Sequence, residues 1–307
     1  MWFKIIAGAS HTDLDRVVEV AVHYGGQGID CLDIAADTRI IDKVSHVWRH
    51  LPRKPLLMVS LALDEDLHFR KINLDRPLCI DCGACVPVCP ANALSMAGQQ
   101  LQLDLPRCYG CDRCLPVCPT NALTLIPYLS NQIEAALAHP AVDAIELHTR
   151  YAQVDTLATF MADHGHLLKQ KLVSVCFSPL QTQDWWPLLR WMVDNQHLTQ
   201  WMLQIDGKPM SGTPEPDASL PALSGAQQVF SQWMGHYPDK PFPFRLTISG
   251  GVNTHTARYM AQDAFSFIDG VAMGTVARQW LQLGHSPQAL VQLFKPPVFN
   301  QRTMAHL

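Results

Sequence analysis

"CIDCGACVPVCP", residues 79–90, places four cysteines within eleven residues and ends on a proline. A second stretch, "CYGCDRCLPVCP" at 108–119, repeats it with every cysteine offset by 29 positions: Cys79 to Cys108, Cys82 to Cys111, Cys85 to Cys114 and Cys89 to Cys118. The tails "ANAL" (91–94) and "TNAL" (120–123) repeat as well, so the segment is an internal duplication. Cys-x2-Cys-x2-Cys-x3-Cys-Pro is the bacterial ferredoxin spacing, in which the fourth cysteine of each run ligates the other run's cluster. One [4Fe–4S] cluster is therefore expected on Cys79, Cys82, Cys85 and Cys118, and a second on Cys108, Cys111, Cys114 and Cys89. The competing reading is a pair of zinc sites. Zinc favours Cys pairs separated by a longer loop over four cysteines compressed into one run.

The frame around the two runs agrees with metal. The chain has 307 residues, a formal charge of −4 and 48% hydrophobic residues, enough to bury a large core in one or two domains. It shows no basic arm, so nucleic-acid binding is not expected. No apolar run approaches the roughly 18 residues of a transmembrane helix. The opening "MWFKIIAGAS" does not read as a secretory signal. A cytoplasmic location is expected, where disulfides rarely persist. The two thiols outside the runs, Cys31 and Cys176, read as ordinary buried residues.

Outside roughly 72–125, short apolar runs alternate with amphipathic stretches. "FKIIAGA" reads as a strand, and "DLDRVVEVAVHYGG" as a helix with Leu14, Val17, Val18 and Ala21 on one face. "GIDCLDIAA" is a second strand, followed by a helix capped by Asp37, with Ile40, Ile41, Val44, Val47, Trp48 and Leu51 as its buried stripe. "PLLMVSLAL" is a third strand. "DAIELHT", "KLVSVCFS", "WMLQID", "FRLTIS" and "FIDGVAMG" bring the strands to eight. Helical stretches follow at 130–140, 151–163, 184–195, 221–234, 254–262 and 286–294. This is the (β/α)8 TIM-like barrel pattern, with an open doubly wound sheet as the alternative. Removing the inserted 72–125 leaves about 253 residues, close to the ~250 typical of that fold. The expected organisation is barrel (1–71), a 2[4Fe–4S] ferredoxin-like insertion in the βα loop after strand 3 (72–125), and barrel again (126–307).

Strand parity then suggests a site. Glu146 and His148 share one face of their strand, as do Ser174, Cys176 and Ser178, then Gln204 and Asp206, then Thr247 and Ser249. A purely structural barrel fills its interior mostly with Val, Ile and Leu. Polar groups at four neighbouring strand ends are costly to bury unless paired, so a polar ligand is expected there. The residues expected to meet it are Glu146, His148, Asp206 and Lys208, with Ser249 and Asn253 behind them. "ISGGVNTHTAR" (248–258) and "VAMGTVAR" (271–278) add glycines after strands seven and eight. Those two loops commonly bind phosphate in barrels, so N–H groups around Gly250, Gly251, Gly274 and Thr275 are expected to hold FMN or another phosphorylated ligand. Because βα loops all emerge at the C-terminal face, both clusters are expected over the barrel mouth.

"WFKIIAGAS" (2–10), "MVSLALDEDLHFRK" (58–71) and "LQIDGKPMSG" (203–212), together with the cysteine runs, resemble the cyanobacterial light-dependent-period (LdpA) family. The resemblance implies an iron–sulfur protein that adjusts the circadian period to cellular redox state and associates with clock proteins such as KaiA and CikA. It implies no established enzymatic activity. The chain is shorter than expected for the family, and its first cysteine run keeps strict spacing where looser spacing is expected in some relatives.

Three functions follow from these features. The first is a redox sensor whose clusters follow the quinone or ferredoxin pool. The second is an oxidoreductase in which the clusters pass electrons to a flavin or phosphorylated substrate in the barrel. The third is a plain electron carrier. Crossed ligation is testable directly: Cys118→Ser should damage the cluster held by Cys79, Cys82 and Cys85, read by iron content and electron paramagnetic resonance (EPR). Loss of the Cys108 cluster instead would show that the runs are uncrossed.

Overall fold

The computed structural model describes residues 1–149, 153–178, 184–208 and 215–295. Eight parallel strands close into a barrel: β1 (Trp2–Ile6), β2 (Cys31–Ala35), β3 (Leu56–Ala62), β8 (Ala144–His148), β9 (Leu172–Phe177), β10 (Gln200–Asp206), β11 (Arg245–Ser249) and β12 (Gly270–Met273), each paired to the next, with β12 returning to β1. The numbers 4 to 7 fall in the insertion described below. Around the barrel stand α1 (Leu14–Gly25), α2 (Thr38–Trp48), α3 (Ile133–Ala138), α4 (Val154–His164), α5 (Trp186–Asp194), α6 (Leu220–His236), the short α7 (Ala257–Met260), α8 (Thr275–Gln282) and α9 (Pro287–Phe294). The first two residues of the expected 151–163 helix lie outside the described residues. Among the described residues, no helix is long and apolar enough to cross a membrane.

The alternation of each strand sorts its side chains into two environments. Outward residues such as Phe3, Ile5, Ile34, Val59, Ile145, Val175, Leu203 and Ile248 join the helices in one continuous apolar core. Helix α1 turns Val17, Val20, Ala21 and Tyr24 inward; Leu14 and Val18, expected on that face, are half-buried at its edge. Asp37 caps α2 by accepting from the Arg39 amide at 3.0 Å. The lumen differs. Its lower layer is small and apolar, with Cys31, Met58 and Ala144 in contact, and the layers above are polar.

The cysteine segment enters between β3 and α3. Its two ends form an antiparallel pair, β4 (Arg70–Leu74) with β7 (Leu123–Pro127), running from Arg70 opposite Pro127 to Leu74 opposite Leu123. A second hairpin, β5 (Leu94–Ala97) with β6 (Gln100–Leu103), separates the two cysteine runs. Because the neck is zipped, the chain leaves and re-enters the barrel at one place, and the parallel sheet needs no distortion to accept 29-residue repeats. The insertion also leans on the barrel. The Thr12 amide donates to Pro106 O at 3.0 Å, Arg107 Nε reaches Asp13 Oδ2 at 2.8 Å, and Lys71 Nζ donates to Thr12 Oγ1 at 3.1 Å. All of these contacts lie at the β1–α1 loop, on the C-terminal face.

At the centre of the lumen Lys4, from β1, pairs with Glu146, from β8, and both are fully buried. Burial opposes the lysine's charge, but the carboxylates of Glu146 and Asp33 outweigh it and raise its pKa above the ordinary value. Glu146 is held in the ionised form, because Lys4 and His148 overcome the burial that would protonate it. Removing one partner of such a pair leaves an uncompensated charge in the interior. Lys4→Met should therefore cost about 3–5 kcal/mol, read as a fall in the urea midpoint of the holoprotein. Adding Glu146→Gln should recover most of the loss; a single variant as stable as wild type would remove the pair from the account.

Candidate functional site

The lumen's polar layers are built strand by strand. Gln204, on β10, donates from Nε2 to Glu146 Oε1 at 2.7 Å, and the same amide lies 3.4 Å from Cys176 Sγ. Ser60, on β3, donates to Asp33 Oδ1 at 2.7 Å. Asp33 is wholly buried, and burial together with Glu146 pushes its carboxyl up to about 6 despite the pull of Lys4. Above Glu146, His148 Nε2 lies 3.2 Å from Glu146 Oε1 without hydrogen-bond alignment. Among the described residues, the hydroxyls of Ser174 and Ser249 and one oxygen each of Asp33, Asp206 and Gln204 also have no hydrogen-bond partner. Buried polar groups left in this way cost about 1–3 kcal/mol each unless something occupies the space between them. Several of these groups face one shared cavity rather than a filled core.

The cavity opens at the C-terminal face. Of the residues singled out from sequence, Glu146, His148, Asp206, Lys208, Ser249, Gly250, Gly251, Gly274 and Thr275 all line it. Asn253 does not. Its side chain accepts from the His255 amide at 2.8 Å and donates to Glu215 O at 2.7 Å, capping the short 3-10 turn at Thr254–Thr256. The two glycines after β11 also have a packing role. A Cβ on Gly250 would fall 1.8 Å from Asp206 Oδ1, and one on Gly251 would fall 2.0 Å from Ala218 O. Both hold positive φ, 64° and 88°, so the loop requires glycine whether or not an anion binds. Gly274 is different: a Cβ there would make only ordinary contacts, the nearest with Arg278 Nη1 at 3.5 Å, so packing does not require glycine at the start of α8. The first amides of that helix lack intrahelical acceptors by geometry.

Five residues of the site were not singled out from sequence. Lys4 and Asp33 are inward residues of β1 and β2, and a lone lysine between Phe3 and Ile5 was the available signal. His68 arrives from the β3–β4 connection, which has no periodicity to read. Arg278 donates from Nη1 to Ile6 O at 2.8 Å and from Nη2 to Thr275 Oγ1 at 3.1 Å. Its guanidinium stands 4.9 Å from the ring centre of Tyr109. Tyr109 comes from the insertion, between Cys108 and Cys111, and lines the barrel cavity.

The cysteines converge as two groups whose surroundings fit clusters. One hollow is lined by Cys108, Cys111, Cys114 and Cys89, the other by Cys79, Cys82, Cys85 and Cys118. The fourth thiol in each group comes from the other run. The repeat is visible in the backbone too. Asp81 and Gly110, Gly83 and Asp112, and Asn92 and Asn121 are equivalent pairs 29 residues apart, and all six adopt positive φ between 51° and 71°. These are the residue types that tolerate the left-handed region. The asparagines of the "ANAL" and "TNAL" tails turn the chain back on itself. The next amides but one from the proline-bound corner, Ala93 and Ala122, then donate to Cys89 Sγ at 3.3 Å and Cys118 Sγ at 3.2 Å. Such N–H···S bonds suit sulfur that carries negative charge. The two groups sit differently on the barrel. The Cys108 group adjoins the mouth through Tyr109, whereas the Cys79 group faces outward, with Cys82 exposed and Ile80 63% exposed. Only one cluster position, not both, borders the barrel cavity.

The comparisons with known proteins follow the same division. Residues 78–122 match the 4Fe-4S dicluster domain, and residues 136–292 match the light dependent period A C-terminal domain. Light dependent period A of Synechococcus elongatus is 30% identical over 324 aligned positions, covering 99% of this chain and 85% of that one. Among solved structures, (S)-3-O-geranylgeranylglyceryl phosphate synthase from Thermoplasma acidophilum overlays with a TM-score of 0.46 at 11% identity, covering 96% of this chain and 93% of that one. The carboxyl transferase domain of Rhizobium etli pyruvate carboxylase overlays at 0.45 and 9%, covering 96% of this chain and 47% of that one. At that distance neither likeness bears on this chain's ligand. Two matching domain models and a full-length relative do bear on its family: the chain is an iron–sulfur protein of the light dependent period A family.

Proposed function

We propose that this protein relays electrons between its surface and a phosphorylated small molecule, FMN or a ligand of that class, held at the mouth of the barrel. The observation that carries the reading is Tyr109. It lines the hollow of the Cys108, Cys111, Cys114 and Cys89 group and the barrel cavity at once. A single buried ring thus bridges the inner cluster position and the ligand space. The outward-facing Cys79 group supports the other end of the relay, where a donor or acceptor protein or a quinone would exchange electrons. Lys208 and Arg278 at the cavity rim, with Gly274 and Thr275 lining it at the start of α8, suit a ligand's phosphate. A bound flavin would supply the step between one-electron clusters and two-electron chemistry. The chain's own groups would orient it and keep water out.

The same arrangement serves sensing. If the ligand is a redox-active metabolite, its oxidation state sets that of the clusters, and a partner protein reads the result. The family resemblance points to clock proteins such as KaiA and CikA as those readers, in the cytoplasm. A plain electron-carrier role leaves the polar lumen and Tyr109 without a use.

The decisive measurement is mass spectrometry and absorbance of small molecules released from protein purified under argon. A flavin or other phosphorylated compound at about one per chain is expected. A chain carrying two clusters and no such compound, and taking up none of a panel of flavins, would remove the ligand half of the proposal. Lys208, exposed at the rim, offers a milder probe. Lys208→Ala should weaken FMN binding about tenfold, the loss of one charge-assisted contact, with the thermal midpoint unchanged.

A further inference from the structure

Two imidazoles at the barrel mouth share one carboxylate. His68 Nδ1 lies 2.7 Å from Asp66 Oδ1, and His148 Nδ1 lies 3.7 Å from that same oxygen. One ligating atom from each of Asp66, His68 and His148 can be chosen with all three within 4.8 Å of one another. The far nitrogen of each ring is backed by a different carboxylate: His68 Nε2 by Asp206 Oδ2 at 3.1 Å, and His148 Nε2 by Glu146 Oε1 at 3.2 Å. His148 is 4% exposed, and among the described residues neither of its ring nitrogens makes a hydrogen bond. The Asp206 carboxylate is equally buried, and its Oδ1 is likewise without a partner.

We propose that Asp66 and the Nδ1 atoms of His68 and His148 form a binding site for one divalent first-row metal ion, with Asp206 and Glu146 orienting the two imidazoles. Two histidines and one carboxylate on one side of an ion, leaving positions open toward a cavity, are a recurrent donor set for iron(II) and its neighbours. Adjacent ligands at bonds of about 2.1 Å stand roughly 3 Å apart, and the 2.7 and 3.7 Å separations bracket that spacing. Metal-bound histidines almost always give their second N–H to a carboxylate; Asp206 stands 3.1 Å from His68 Nε2 and Glu146 3.2 Å from His148 Nε2. Phe69 packs edge-on against His148 with ring centres 5.2 Å apart, fixing the ring's tilt.

Charge points the same way. Lys4 pairs with Glu146, while Asp66 and Asp206 each face His68. A dication between Asp66 and the two imidazoles would offset carboxylate charge gathered at the mouth. The ion would also reconcile an anionic ligand with a cavity lined by Asp33, Glu146 and Asp206, by bridging carboxylate and phosphate oxygens. The site itself stands whether or not the cavity holds a flavin.

Mn2+ is the probe, because it favours oxygen and imidazole over thiolate and so spares the cysteine groups. Holoprotein prepared under argon, with its iron content verified, would be titrated with Mn2+ and free ion followed by EPR. Saturation at one Mn2+ per chain with a dissociation constant below about 100 μM is expected. Asp66→Asn and His148→Gln should each weaken it at least tenfold at unchanged iron content. Should either variant lose iron, His68→Gln, on the half-buried connection, carries the same expectation. No saturable binding to the wild type, or equal affinity in the variants that retain iron, would overturn the assignment.

Discussion

An ammonium group buried at the centre of a barrel constrains everything placed above it. Lys4 has no access to solvent, so Glu146 must stay ionised beside it, and Glu146 in turn engages the Gln204 amide and faces His148. These residues come from β1, β8 and β10, which lie far apart in the chain but face one another across the lumen. A lumen packed with branched apolar side chains would be more stable by the usual reckoning, since a buried ion pair rarely beats a hydrophobic replacement of the same volume. The charged layer is therefore better explained by what it prepares, a polar floor beneath an open mouth, than by stability.

The insertion obeys a different constraint. Two short cysteine runs can wrap two cubes only if the backbone reverses sharply between thiols. It does so through Asp, Asn and Gly in left-handed conformations at equivalent positions of the two repeats. The antiparallel neck then fixes where the unit stands. Contacts of Arg107 with Asp13 and of Pro106 with Thr12 hold its second half against the β1–α1 loop. That docking brings Tyr109 onto the cavity. The first half, with Cys82 and Ile80, is left facing outward. A symmetric duplication thus takes up an asymmetric placement, with an inner and an outer cluster position.

Much was legible in the chain because it rests on local rules. The cysteine spacing specified crossed ligand groups, since only a few backbone paths bring four such thiols around one cube. The alternation of apolar strands and amphipathic helices specified a parallel barrel, and parity placed Glu146, His148, Gln204, Asp206 and Ser249 in one lumen. The glycine signal was ambiguous for a physical reason. Gly250 and Gly251 are required by the close approach of the β10–α6 connection, so their presence would be the same with no ligand at all. Asn253 read as a ligand group because capping and binding use the same side-chain amide.

What the sequence alone determined were the elements, their order and the parity of each strand, because these follow from periodicity and steric preference within a few residues. Only the tertiary structure decided which inward residues meet. Lys4 finds Glu146 across 142 positions of chain. His68 reaches Asp206 from a connection without any repeating pattern, and Tyr109 enters the cavity from inside a cysteine run. None of these pairings leaves a local trace. Each depends on barrel closure and on how one repeat docks against the barrel, and side chains that meet only after such closure carry no mark of their partner in the order of the residues around them.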